Sequence, residues 1–110
     1  MPRLTVAGGI GKLAKLAEGH LDLHSARSQV SFTALADLVA GAGGDAALVE
    51  GVRGANTALD ALRQAQAAGL PLGDLVADGA RRTAEGVLRG APVEVDVVVI
   101  DRAGTVVGRA

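Results

Sequence analysis

β-Prone sequence stands only at the two ends of this chain. Arg3 to Ala7 (RLTVA) and Val93 to Gly108 are the runs rich in β-branched residues, and the long stretch between them reads with helical period. A sheet built from such a chain must draw its strands from the ends and bury its faces under the middle. The fold class is therefore α/β: a small Rossmann-like sheet with helices sandwiching it, in the order strand, glycine turn, about five helices, strand, strand. Three strands make a thin sheet for so many helices. Either another chain completes it, or this chain is part of something longer, and the edge at Arg3 to Ala7 invites pairing.

Local signals divide the middle into elements. Gly8, Gly9 and Gly11 are expected to supply the positive φ of a tight strand-to-helix turn. From Lys12 the period is helical, with Leu13, Leu16 and Ala17 on one face, Lys12, Lys15 and Glu18 on the other, and Gly19 as the stop. His20 to Ser25 follows as a loop or short extended piece. A second helix runs from Phe32 to Ala42, closed by Gly43-Gly44, and a third from Ala46 to Arg53 with Asp45 as N-cap. Asn56 or Thr57 caps a fourth, Thr57 with Asp60 forming a T-x-x-D capping box, and Gly69 with Pro71 ends it. In the fifth, Asp74 is the candidate cap and Val76, Ala80, Ala84 and Val87 form the buried stripe. Asp78, Arg81, Arg82, Glu85 and Arg89 form its solvated face. The C-terminus is a β-hairpin, Val93 to Ile100 and Thr105 to Gly108 about a turn at Asp101 to Gly104. Val97 to Ile100 are apolar on both faces, as in a covered sheet.

Composition narrows what such a domain can do. The 110 residues are 49% apolar, but Phe32 is the only aromatic, so the core must be filled by Ala, Leu and Val. Without aromatic platforms, and with a net charge of -1, nucleic acid is excluded as a partner. There is no cysteine for a disulfide or thiolate metal site. No apolar run is long enough to span a bilayer and no signal region opens the chain, which points to a cytoplasmic protein with no membrane partner. Arg3, Lys12, Lys15 and Arg27 against Glu18 and Asp22 leave residues 1–30 net positive, whereas the remainder is net negative.

That positive excess surrounds the glycine corner, and glycine amides at a helix start beside Lys12 suit a carboxylate or phosphate. A Walker A loop is ruled out, because its glycine and hydroxyl positions hold Val6 and Leu13. Gly9, Gly11 and Ala14 satisfy the dinucleotide pattern G-x-G-x-x-A, but the later ribose-binding acid is missing, Ser28 to Ser31 standing there instead. The alternative is that the glycines only permit a tight turn. His20, Asp22 and His24 alternate as metal ligands on an extended backbone would, yet no further ligand cluster lies nearby, and no metal is assigned. His24-Ser25 lacks the G-x-S-x-G elbow of a nucleophilic pair. Asn56-Thr57 reads first as helix capping.

Three blocks carry a family resemblance. VAGGIGKLAKLAEGHLDLHS, beginning at Val6, resembles the signature of the cobalt-precorrin-5B (C-1)-methyltransferase family, CbiD, in which a strand leads into G-x-x-GK-x-x-K-L-A-x-G and then His-Ser. GANTALDAL at Gly54 to Leu62 is similar to its alanine-asparagine-threonine helix start, and VEVDVVVIDRAGTVVGRA to its closing hairpin. The resemblance covers the whole chain as a single domain and implies the C-terminal part of a longer enzyme, with the N-terminal part outside it. It further implies methylation of C-1 of a cobalt-bound tetrapyrrole, giving cobalt-precorrin-6A in anaerobic cobalamin biosynthesis, with S-adenosylmethionine as methyl donor. By position, Gly8, Gly11, Lys12, Lys15, Leu16, Gly19, His24, Ser25, Asn56 and Thr57 match the pattern. Gly8, Gly9, Gly11 and Lys12 would hold a ligand carboxylate, and His24, Ser25 and Asn56 would hydrogen-bond the ligand. The isolated chain is expected not to methylate alone, its partner being the N-terminal portion or a second copy. A non-catalytic anion- or nucleotide-binding module and a structural remnant are the alternatives.

Overall fold

The computed structural model describes residues 3–17, 31–89, 91–101 and 103–110. Its elements are β1 (Arg3–Gly9), α1 (Ile10–Ala17), α2 (Phe32–Gly41), α3 (Ala46–Arg53), α4 (Ala58–Ala67), α5 (Leu72–Val87), β2 (Glu94–Ile100) and β3 (Val106–Arg109). The helical stretch between β1 and β2 is long enough to return the chain to the same end of the sheet, so the two strands can run parallel. They do so in unbroken register, from Arg3 opposite Glu94 to Gly9 opposite Ile100. β3 folds back antiparallel on β2, with a register shift at Val99 and Ile100, and the sheet order is β1-β2-β3.

Burial along the strands alternates and so identifies the covered face. Val95, Val97 and Val99 are buried, whereas Glu94 is exposed and Asp96, Val98 and Ile100 are half-buried. Thr5 and Ala7, opposite Asp96 and Val98, are also exposed. Among the described residues the helices thus cover one face of the sheet and do not sandwich it. The reason lies in how the helices use their apolar surface: α1 and α5 lie on the strands, α2 packs on α5, α4 packs on both α1 and α5, and α3 packs on α2 and α4. The open face is tied instead by polar pairs, Arg3 to Glu94 at 3.2 Å and Thr5 Oγ1 donating to Asp96 Oδ1 at 2.6 Å.

Leu13, Val39, Val52, Leu62, Leu72, Val76, Val97 and Val99 are the largest fully buried side chains, and Phe32 reaches only the margin of the core. Burying each contributes about 1.5–3 kcal/mol of transfer free energy. Small residues let backbones approach closely where α5 crosses β3. A Cβ placed on Gly108 would lie within 3 Å of three backbone atoms of Gly73, so this crossing admits no side chain.

Helix starts follow their local chemistry. Ser31 Oγ accepts the N–H of Ala34 at 3.2 Å, Asp45 Oδ1 that of Leu48 at 2.8 Å, and Thr57 Oγ1 that of Asp60 at 3.0 Å. The structure corrects the reading of α5, which begins at Leu72 after Pro71, with no side-chain cap. Asp74 sits in the first turn, where Oδ1 accepts the N–H of Arg109 at 2.9 Å and pins β3 to the helix. The buried stripe of α5 is also shorter than expected, since Val76 and Ala80 are buried but Ala84 is half-buried and Val87 is 60% exposed. Sixteen residues rise about 24 Å, and α5 runs on past Gly79, where it meets Ala17 at the end of α1. Arg81 and Arg82 pair with Asp78, and Arg81 with Glu85, on its solvated face. None of the described helices is long and apolar enough to cross a membrane.

Candidate functional site

The glycine corner is built differently from the tight turn expected of it. β1 extends through Gly8 and Gly9, and α1 begins at Ile10 with no intervening turn residues. Positive φ occurs at Gly43, Gly69 and Gly104, and not at Gly8, Gly9 or Gly11. What the corner requires is space. A Cβ on Gly8 would press to 3.2 Å from Cδ of Lys12, because α1 folds back over the strand it leaves. A Cβ on Gly9 would meet nothing within 4 Å.

That space is one side of an open cleft of about 380 Å³ lined by Gly9, Ile10, Gly11, Thr57, Ala58, Leu59, Ile100 and Asp101. Three junctions meet there. The parallel register carries Gly9 and Ile100 to the same end of the sheet, and α4 brings its capped start across from them. The cleft lies outside the carboxyl ends of the parallel strands, where open α/β sheets bind their ligands. Asp101 is held firmly, since its Oδ1 accepts the N–H groups of Ala103 and Thr105, both at 2.9 Å.

The expected site residues separate into groups. Gly9, Gly11 and Thr57 line the cleft together. Gly8 is half-buried just behind it, and Asn56 is exposed one residue before Thr57. Lys12 is exposed and Lys15 half-buried on α1, and neither lines the cleft. His24 and Ser25 lie outside the described residues, as do His20, Asp22 and the expected helix stop at Gly19. Among the described residues the charged one that lines the cleft is Asp101, which the sequence places only in a turn. Its position directly after the apolar run Val97 to Ile100, at a strand's carboxyl end, was the available signal. A larger cleft, of about 670 Å³, adjoins the first through Leu59 and Asp101 and runs between α4 and the hairpin.

Comparison with known proteins agrees with the three sequence blocks. The family model described as CbiD, C-terminal domain matches residues 22–110. The chain is 54% identical over 108 residues to the cobalt-precorrin-5B C(1)-methyltransferase of Rhodospirillum rubrum, covering 98% of this chain and 30% of that protein. It is 49% identical over 110 residues to the protein of the same name from Halorhodospira halophila, and 50% over 110 residues to that from Pseudomonas putida. Each of these alignments takes in 100% of this chain and 30% of the relative. The chain thus spans under a third of the length of the curated relatives it matches. No solved structure matches it.

Proposed function

The chain belongs to the CbiD family, matching its C-terminal domain, and on that footing we propose that it forms one wall of a site that methylates C-1 of cobalt-precorrin-5B. S-adenosylmethionine is the donor in this reading, and its sulfonium supplies an activated methyl group that an electron-rich ring carbon takes up as the carbon–sulfur bond breaks. The residues present suit such a ligand. Ile10, Ala58, Leu59 and Ile100 offer apolar surface to an adenine, and the carboxylate of Asp101 offers an acceptor for ribose hydroxyls and a counter-charge for a cation. Gly9 and Gly11 leave the cleft open, and the N–H groups at the start of α1 favour the methionyl carboxylate. Gly8 and Lys12 flank that end, Lys12 and Lys15 adding positive charge along α1. By family resemblance, His24, Ser25 and Asn56 hydrogen-bond the bound ligand.

The chain's work here is positioning: it orients donor and acceptor and limits water, and among the described residues the cleft holds no acid–base pair for the transfer. The other wall comes from the N-terminal portion of a CbiD-type protein or from a second copy, in the cytoplasm. The observation that carries this reading is the convergence of Gly9, Gly11, Thr57 and Asp101 on one cleft at the carboxyl ends of β1 and β2.

Calorimetry with S-adenosylmethionine tests it on the chain and on Gly9→Val. A side chain at position 9 projects into empty space, so the variant should keep its melting temperature while binding is lost at least tenfold, by the scale of a filled pocket, ~1.4 kcal/mol. Equal binding by the variant would remove the cleft from the account, and no binding to either would favour a structural remnant. The purified chain alone should not methylate cobalt-precorrin-5B, and detection of the methylated product by mass spectrometry would contradict a one-walled site.

A further inference from the structure

The larger cleft shares Leu59 and Asp101 with the proposed donor site and opens beside it. We infer that this hairpin cleft seats the carboxylate-bearing rim of a flat, apolar macrocycle, with Arg63 and Arg109 as the residues that recognise its acidic side chains. The inference rests on the methyltransferase reading for the identity of the macrocycle, and on the cleft's own chemistry for everything else.

Size comes first. At about 670 Å³ the cleft is well above its neighbour's volume and within the range of small-molecule sites, so it can take a ligand bulkier than the donor. Its lining is of two kinds. Leu59 from α4 and Val106 from β3 are apolar, and Val106 is 43% exposed, which gives one broad ligand face something to lie against.

Charge is the second point. Arg63, Arg109, Asp74 and Asp101 all line the cleft. The two acids are anchored through one oxygen each, Asp74 by the N–H of Arg109 and Asp101 by those of Ala103 and Thr105, and neither forms an ion pair with Arg63 or Arg109. The two guanidinium groups make no ion pair with any described residue, whereas Arg3, Arg53, Arg81 and Arg82 each do. A guanidinium matches a carboxylate with two parallel hydrogen bonds, so a ligand edged with carboxylates satisfies what the fold leaves open.

Position is the third. The two clefts share Leu59 and Asp101, so ligands seated in both would meet there. This assigns the glycine cleft to the donor and the hairpin cleft to the acceptor.

The test is equilibrium dialysis of the chain against two cobalt corrinoids, cobyrinic acid with free carboxylates and cobinamide with amides in their place, followed by visible absorbance. Cobyrinic acid should bind at least tenfold tighter than cobinamide. Arg63→Gln and Arg109→Gln should each weaken it about tenfold, the scale of one charged hydrogen bond, and leave S-adenosylmethionine affinity within about twofold of wild type. Both arginines are exposed, so neither change should alter the melting temperature. Cobyrinic acid binding that is absent, that both variants leave unchanged, or that cobinamide matches would overturn the inference. Failure of S-adenosylmethionine to bind, with the arginine dependence intact, would instead remove the donor reading and leave the hairpin cleft standing.

Discussion

Gly108→Ala should be among the most damaging single-methyl additions this protein can receive. The new Cβ would fall within 3 Å of C, O and Cα of Gly73, all backbone atoms, so no rotamer change relieves it and α5 must move off β3. Overpacking of this kind costs about 1–3 kcal/mol. The same movement stretches the 2.9 Å bond from Arg109 N–H to Asp74, which adds about 1 kcal/mol once discounted for its exposed carboxylate. A loss of about 3 kcal/mol from a total of roughly 5–15 follows. In urea, with a slope of about 1.5 kcal/mol/M, the unfolding midpoint drops by about 2 M. Gly86→Ala is the control: it lies in α5, the helix that Gly108 presses on, a Cβ there meets nothing within 4 Å, and the change should stabilise by about 0.5–1 kcal/mol. A midpoint for Gly108→Ala within about 0.3 M of wild type would refute the argument from close approach, as would equal destabilisation by the control.

Other substitutions probe separate parts of the account. Thr57→Ala removes the acceptor for Asp60 N–H and should cost about 1 kcal/mol in urea unfolding, and a change below about 0.3 kcal/mol would mean that the cap contributes little. Leu62→Ala empties a site that is 1% exposed and should cost about 2–5 kcal/mol, against which a near-neutral result would place Leu62 outside the core. Val87→Lys, at a position 60% exposed, should be neutral to within about 0.5 kcal/mol, and a loss of 2 kcal/mol or more would restore the longer buried stripe that helical period alone suggests.

The contrast between Thr57 and Asp74 shows which parts of this fold are written locally. Thr57 and Asp45 each accept an N–H three residues on, so the signal and its partner stand in one short window of sequence. Asp74 carries the same signal, but its partner Arg109 lies thirty-five residues on, and Pro71 has already set the helix start. The strands were legible as β-branched runs at the chain ends. Their parallel register was not, because it pairs residues ninety-one positions apart, as in Thr5 with Asp96. That register is what brings Gly9 beside Ile100 and Asp101, so the glycines read as a site, while the carboxylate across from them is marked in the sequence only by its place after an apolar strand. One-sided helical packing was hidden for a similar reason, since Val98 and Ile100 are apolar whether or not a layer covers them.

The most direct test of the donor cleft is an amide titration, in which S-adenosylmethionine is added to the ¹⁵N-labelled chain and backbone shifts are followed residue by residue. The largest changes should fall at Gly9, Ile10, Gly11, Thr57 and Asp101, and should vanish in Gly9→Val. Shifts centred on α2 and α3 instead, or unchanged in Gly9→Val, would contradict the assignment of the donor to the junction of β1, α1 and α4.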